Sequence, residues 1–375
     1  MSDLPLVSVV MPVKLPPSSD SQVYLKQAIQ SILYQTYSSL ELIIIDGSSV
    51  GDGALLRSYA TLDKRVRVVR EDEPGLTRAL NQGCRLAAGK YIALMDSDDV
   101  SVRTRVERQV AFLERHPDVG ALGGWMEILD DFKKSRLTWR NPTNPALISW
   151  SLIFGNCISQ PSVTMRAGVA KSLGFYDPHI LHAQDYDLWA RMSLVSRIAN
   201  LPEVLLQYRI TAWSTTLRNP RAIAQTRLKV TGLLVSNLTG NPPSPALVQN
   251  LFDVTTRRRR DEQSVIRAIT FVKYLVQEFL ARNSQLTSAE KSMVLRDAES
   301  RVIYMILLAG RDSPSSFFRA YFHARRLFPP ISRFPFRHAT RELLYSFLNR
   351  PMEWWVSRDP GLEGADAETG SQRSD

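Results

Sequence analysis

The 375 residues contain only two cysteines and five histidines. Cys84 falls in a predicted helix and Cys157 in an apolar stretch, so each reads as a buried free thiol, and a cytoplasmic setting fits. The histidines form no Cys/His cluster, which argues against a zinc site. Long apolar runs are missing as well. The longest, such as Val302–Ala309, fall far short of the ~20 residues a membrane span requires. The N-terminus lacks a basic region followed by an apolar stretch, so no secretory signal is expected. No internal repeat is present. The tail from Ser357 is rich in Gly, Asp, Glu and Ser, which predicts disorder over 356–375.

Acidic charge is scarcer than basic, and the formal net charge is +10. Most of the excess is C-terminal: Leu251–Arg350 holds 18 Lys/Arg against 9 Asp/Glu. Arg257–Arg260 is a run of four arginines, yet no zinc-finger or RNA-binding motif accompanies it, so nucleic acid is not an expected partner. One reading is a solvated helical face. The other is attraction to anionic lipid headgroups at the inner face of a membrane, since aromatics interleave with these arginines. They are Phe317-Phe318, Tyr321-Phe322, Leu327-Phe328, Phe334, Phe336 and Trp354-Trp355. Packing of the same aromatics onto the rest of the protein is the alternative.

What is present is acid in a particular place. Residues 91–99 run Tyr-Ile-Ala-Leu-Met-Asp-Ser-Asp-Asp, a short apolar run that suits a buried strand and stops at three carboxylates. The carboxyl edge of an open α/β sheet is where such sheets bind ligands. Asp96 and Asp98 are placed to share a hard divalent cation that also holds phosphate oxygens. An acidic turn capping the next helix through Asp98 or Asp99 is the alternative. Three more β-rich runs precede it: 7–13, 41–46 (ending in Asp46) and 66–69. Helical patterns separate them over Tyr24–Tyr37, Ala54–Leu62 and Leu76–Ala88. Strands apolar on both faces, alternating with helices, predict an α/β fold with a parallel sheet covered by helices.

Taken together, several segments resemble a family 2 glycosyltransferase. They are Val7–Val13, Ala28–Leu33 with Gln35-Thr36-Tyr37, Gly75–Asn81, Met95–Asp99 and Gln184–Trp189. Each is weak alone; their order and spacing are specific, and the likeness spans roughly residues 5–215. The resemblance implies the GT-A nucleotide-diphospho-sugar transferase fold, an open, mostly parallel sheet flanked by helices. It implies inverting transfer of a sugar from a nucleotide-diphosphate donor to an acceptor hydroxyl, in cell-surface polysaccharide or glycolipid synthesis. The expected donor is a UDP-sugar, the acceptor a glycan or lipid-linked hydroxyl, and the cofactor Mg2+ or Mn2+.

By the same resemblance Asp98 is the firmest metal ligand, with Asp96 beside it on the metal or the ribose. Asp185 matches the family's base, which takes the acceptor's proton; an N-cap of the helix over 184–191 is the alternative role. Asp46 is the base contact, although the family's second acid there is replaced by Gly47. Arg78 and Asn81 fall near the donor, Arg78 also reading as a surface residue. Arg209 suits the diphosphate, since its fork matches phosphate geometry. Lys14-Leu15 replaces a Tyr-Asn pair, Gln184 a glutamate, and Thr211 a histidine that joins the metal in the family. These departures keep a non-catalytic sugar-binding or assembly relative in view; a nucleotidyltransferase is the other alternative, which Asp185 argues against.

The expected organisation is a glycosyltransferase domain over 6–215, with a nucleotide half (6–125) and an acceptor half (126–215). A connector over 216–245, marked by Asn241-Pro242-Pro243-Ser244-Pro245, leads to a helical appendage over 246–355.

Overall fold

The computed structural model describes residues 4–14, 19–48, 54–129, 136–210, 219–256 and 261–330. The N-terminal half alternates as read from the sequence: β1 (Val7–Val13), α1 (Ser19–Leu33), β2 (Leu40–Asp46), α2 (Ala54–Leu62), β3 (Val66–Arg70), α3 (Leu76–Leu86) and β4 (Tyr91–Leu94). β1 pairs in parallel with β2 on one side and β4 on the other, and β2 in parallel with β3. Continuous apolar runs form these strands because helices cover both faces. Val9, Met11, Leu42, Ile44, Ala93 and Met95 face Leu25, Ile29 and Ile32 of α1. Val10, Ile92 and Leu94 point the other way, into a second core.

The sheet continues through β5 (Val100–Ser101), β6 (Val119–Leu129), β7 (Arg136–Trp139), β8 (Thr164–Arg166) and β9 (Arg197–Arg209), with α4 (Arg105–Arg115), α5 (Pro145–Ser151), α6 (Ala167–Ser172) and α7 (Gln184–Ser193) between them. The order is β3-β2-β1-β4-β8-β6-β9-β5, with β7 beside β6. β8 lies antiparallel to β4 and β6, while β9 runs parallel to β6. The sheet is therefore mixed: β3, β2, β1 and β4 are all parallel, whereas the second half combines antiparallel pairs with the parallel β6–β9 pair. β6 carries Gly120, Gly123 and Gly124 in one strand. A Cβ on Gly123 would lie 2.3 Å from Asn200 Oδ1, so a side chain there would have to displace the amide of Asn200, whose Nδ2 is held by Pro142 O.

The stretch expected as a connector contains a twenty-residue helix, α8 (Pro220–Thr239). Gly240, at φ 79°, ends it, and the Asn-Pro-Pro-Ser segment joins it to α9 (Pro245–Thr255). Then come α10 (Glu262–Arg282), α11 (Ser288–Asp312) and α12 (Pro314–Leu327). Asp261 caps α10, and Thr287 with Glu290 forms a capping box on α11. These helices are not a separate module. Val230, Leu234, Leu275, Phe279, Val302 and Met305 belong to the same apolar cluster as Val10, Ile92 and Leu94 of the sheet. Each fully buried side chain of this size contributes about 1.5–3 kcal/mol, so the helices are fixed to the sheet by their shared core.

Of the C-terminal aromatics, Phe328 is buried, and Phe317 and Tyr321 pack partly buried against the core. Phe318 and Phe322 are more than half exposed. Among the described residues no helix is long and apolar enough to cross a membrane. Leu15, Arg257–Arg260, Thr211, Phe334, Phe336, Trp354-Trp355 and the tail predicted to be disordered lie outside the described residues.

Candidate active site

β4 stops at Leu94, whereas β1 runs on to Val13 and β2 to Asp46. The last residues of β1 thus have a strand neighbour on one side only, which is where Pro12, lacking an N–H, is tolerated. The strand order turns back between β1 and β4, and the crevice of such a sheet opens at that point. The acids at 96–99 leave β4 directly into it. Asp96 and Asp98 are half-buried and Asp99 is fully buried.

Burial raises all three carboxylates, and the charge of Asp98 raises the other two further. Burial, then the charges of Asp98 and Asp185, pushes Asp96 up to about 7. Burial also raises Asp98, against the pull of its own backbone and of Arg209. Asp99 stands well above the ordinary carboxylate range through burial and its two neighbours. Asp99 Oδ1 accepts from Arg209 N at 2.9 Å, and its Oδ2 is buried without a hydrogen bond. Neither Asp98 nor Asp99 caps the next helix: α4 begins at Arg105 with Thr104 as N-cap.

Two arginines hold this loop from behind. Arg105, 1% exposed, donates to Leu94 O (2.9 Å), Val163 O (3.2 Å) and Gln109 Oε1 (3.1 Å). Burial lowers its pKa to about 10, while the charges of Asp99 and Asp96 hold it up. Arg209, at the end of β9, donates from Nε to Asp98 O (3.1 Å) and from Nη2 to Gln27 Oε1 (2.9 Å). Its guanidinium lies 3.9 Å from the centre of the Tyr24 ring. Arg209 therefore meets the acid loop through main chain and charge.

Asp185 comes to the same place from α7. Its N-cap is Ala183, in a left-handed conformation (φ 54°), with no side-chain cap bond. A Cβ makes that conformation costly by about 1–2 kcal/mol. Asp185 is thus the second residue of the helix and not its cap. Asn156 Nδ2 donates to Asp185 Oδ2 at 2.7 Å. The charge of Asp185 is felt at Asp96, and also at the buried Tyr176 and Tyr208, whose phenols are raised first by burial. Leu188 and Trp189 are fully buried, anchoring the helix in the core.

The remaining predicted residues are more dispersed. Asp46 ends β2, buried, accepts from Ser48 N at 2.9 Å, and lies 3.7 Å from Arg70 Nη1. Arg78 is exposed on α3, where it meets Glu73 (3.3 Å) and Pro74 O (3.3 Å). Asn81 is locked in the core by two bonds to the Tyr176 backbone (2.8 and 3.0 Å). Lys14 is exposed. The structure brings together Asp96, Asp98, Asp185 and Arg209; Asp46 and Arg78 lie elsewhere along the sheet edge and helix. Two residues absent from the sequence reading join the site, Arg105 beneath the cluster and Asn156 on Asp185; Asp99, read there as one of three carboxylates and a possible helix cap, is a buried member of the cluster. The polarity of Arg105 at an apolar-periodic helix start was the one available signal.

Comparison with known proteins agrees. The family model for glycosyl transferase family 2 matches residues 8–172. An uncharacterized glycosyltransferase of Haemophilus influenzae is 31% identical over 56% of this chain and 67% of its own length. WbnJ, an O-antigen biosynthesis glycosyltransferase of Escherichia coli, is 33% identical over 56% of this chain and 82% of its own. AmsE of Erwinia amylovora, an amylovoran biosynthesis glycosyltransferase, is 33% identical over 49% and 70%. The crystal structure of residues 1–349 of TarS from S. aureus aligns with a TM-score of 0.50 at 14% identity, over 88% of this chain and 91% of that one. The fold is the GT-A-like α/β arrangement expected from the sequence, with helices following it. The chain belongs to glycosyltransferase family 2, and it is a glycosyltransferase.

Proposed function

We propose that this glycosyltransferase transfers a sugar from a nucleotide-diphosphate donor to an acceptor hydroxyl with inversion. The observation that carries the reading is the convergence of Asp185 on the Asp96–Asp98 cluster from a separate helix, close enough for its charge to raise Asp96. One carboxylate group is then available to hold the donor and another to act on the acceptor. Asp98 and Asp96 would hold Mg2+ or Mn2+. The fit is supported by the excess of half-buried carboxylate and by the unpartnered Asp99 Oδ2 behind it. A divalent cation there supplies Lewis-acid neutralisation of the diphosphate charge. Among the described residues no three His, Cys, Asp or Glu side chains form a metal cage, so oxygens of the diphosphate would complete the shell.

Asp46 at the end of β2 is the proposed base contact, with a UDP-sugar as donor. Arg78 lies on the donor side, and Arg209 lends positive charge through the loop it holds. Asp185 takes the acceptor's proton as the hydroxyl attacks, a role worth about 10²- to 10⁴-fold in rate. The names of WbnJ and AmsE support a glycan acceptor of cell-surface polysaccharide or O-antigen type, lipid-linked or free. Peripheral contact with an anionic membrane is supported by exposed Phe318 and Phe322 beside Arg319, Arg325 and Arg326.

Titrating UDP and GDP calorimetrically, with and without Mn2+, tests the donor assignment. The wild type should bind one of them only with the cation. Asp98→Ala should weaken that binding by about 100-fold, the loss of one ligand of a hard ion. Affinity that ignores both cation and substitution would contradict the assignment.

A further inference from the structure

Asp185 is held from a direction that the family motifs do not include. The segment after α5 runs Leu152-Ile153-Phe154-Gly155-Asn156, and each end of it is fastened to something else. Asn156 Nδ2 reaches Asp185 Oδ2 (2.7 Å). Asn156 Oδ1 accepts from Ile158 N (3.0 Å), which closes a local turn and fixes which way the amide points. Tyr186, the residue after Asp185, donates its hydroxyl to Leu152 O. The segment and the start of α7 are thus tied twice.

The other side of the segment is gripped by the C-terminal helices. Arg227 of α8 donates to Phe154 O (3.2 Å). A Cβ on Gly155 would lie only 3.1 Å from Arg227 Nη2, so the small residue lets the guanidinium in. Arg301 of α11 lies over the Phe154 ring, 4.2 Å from its centre. Asp297, one turn before Arg301, accepts from Arg301 Nε (2.6 Å) and from the indole of Trp150 (2.8 Å). Trp150 in turn packs edge-on against Phe154 (4.9 Å) and Phe279 of α10 (5.5 Å).

We infer that the C-terminal helices are part of the catalytic apparatus: through Arg227, Asp297 and Arg301 they set the 152–156 segment, whose Asn156 is a positioning residue for Asp185. The inference rests on Asp185 being the base. A carboxylate that accepts an N–H is stabilised in its charged form, and its oxygen is held in one orientation. Asn156 therefore holds one oxygen of Asp185 and aims the other. Among the titratable groups that feel the charge of Asp185 are Asp96 at the end of β4, Tyr176 after α6, and Tyr208 on β9. The first disfavours the ionised form, which makes a neutral donor more consequential.

The test is the pH profile of transfer in Asn156→Asp, Asn156→Ala and Asp185→Asn. Asn156→Asp keeps the acceptor for Ile158 N, so the turn survives, but it replaces the donor by a like charge. It should lower kcat about tenfold at neutral pH and move the acidic limb upward by roughly one unit. Asn156→Ala should shift the limb in the same direction by less, because it adds no charge. Nucleoside diphosphate affinity should stay near wild type in both. If Asn156→Asp keeps the wild-type profile, Asn156 serves only the turn and the inference is wrong. If Asp185→Asn itself is fully active, the base assignment falls instead, whatever the Asn156 variants do.

Discussion

Asp96 and Asp185 lie close enough for one charge to raise the other, yet they hang from different scaffolds. The acid loop is held within the sheet. Arg105 is fully buried and ties Leu94, Val163 and Gln109, while Arg209 ties Asp98 O to α1 through Gln27 and Tyr24. The base is held from outside the sheet, by Asn156 and behind it by arginines of α8 and α11. Those anchors are more exposed: Arg301 and Asp297 retain 21% and 28% of their side-chain surface. The difference assigns rigidity to the donor side. A buried charge pins its neighbours because leaving it unpaired is costly; a partly exposed pair is a weaker constraint.

This contrast predicts unequal responses. Arg105→Met removes the buried donors to two carbonyls and the counter-charge of Asp96, leaving Asp99 with Arg209 alone. The cost should be about 3–5 kcal/mol in chemical denaturation, and donor affinity should be lost. Arg301→Met should cost no more than about 1 kcal/mol, leave donor affinity intact, and lower transfer through the loosened 152–156 segment. Equal costs, or lost donor affinity in Arg301→Met, would erase the distinction.

A smaller effect concerns the acids themselves. The folded protein holds Asp96 at about 7, far above an unfolded aspartate, so the fold binds the extra proton. Stability contributed by this group is therefore full below the unfolded pKa and falls as pH rises through 7. Asp96→Asn should abolish that slope and stabilise the cation-free protein at pH 8 by about 1–2 kcal/mol, a value reduced for partial solvent access. Thermal unfolding between pH 5 and 8 checks it. Mn2+ should flatten the wild-type slope and leave the variant unmoved.

Much of the donor side was legible in the sequence because its strands are covered on both faces. Val7–Val13, Leu40–Asp46 and Tyr91–Leu94 read as unbroken apolar runs, and acids ending such runs stand out. The second half of the sheet was not legible. β6 carries glycines at 120, 123 and 124, which give a strand no apolar pattern; in the fold the side chains of Ser196, Asn200 and Leu205 fill the space a Cβ would take. The connector was read from its proline cluster, and the helix Pro220–Thr239 ahead of it went unread. Asp99 was legible as an acid but its buried role was not, and Asn156 had no local signal. Their partners, Arg209 and Asp185, lie 110 and 29 residues away. The cap reading of Asp185 fails for a backbone reason: the left-handed turn at Ala183 makes that residue the N-cap and Asp185 the second residue of the helix.

The central claim is that the acid loop binds the donor while Asp185 performs the chemistry. Asp185→Asn keeps size and polar shape but cannot accept a proton. With a matched donor and acceptor, donor affinity by calorimetry and transfer rate should be measured on the same preparation. The account predicts near wild-type affinity with transfer lowered about 10²- to 10⁴-fold. Full transfer, or affinity lost in proportion to rate, would contradict it.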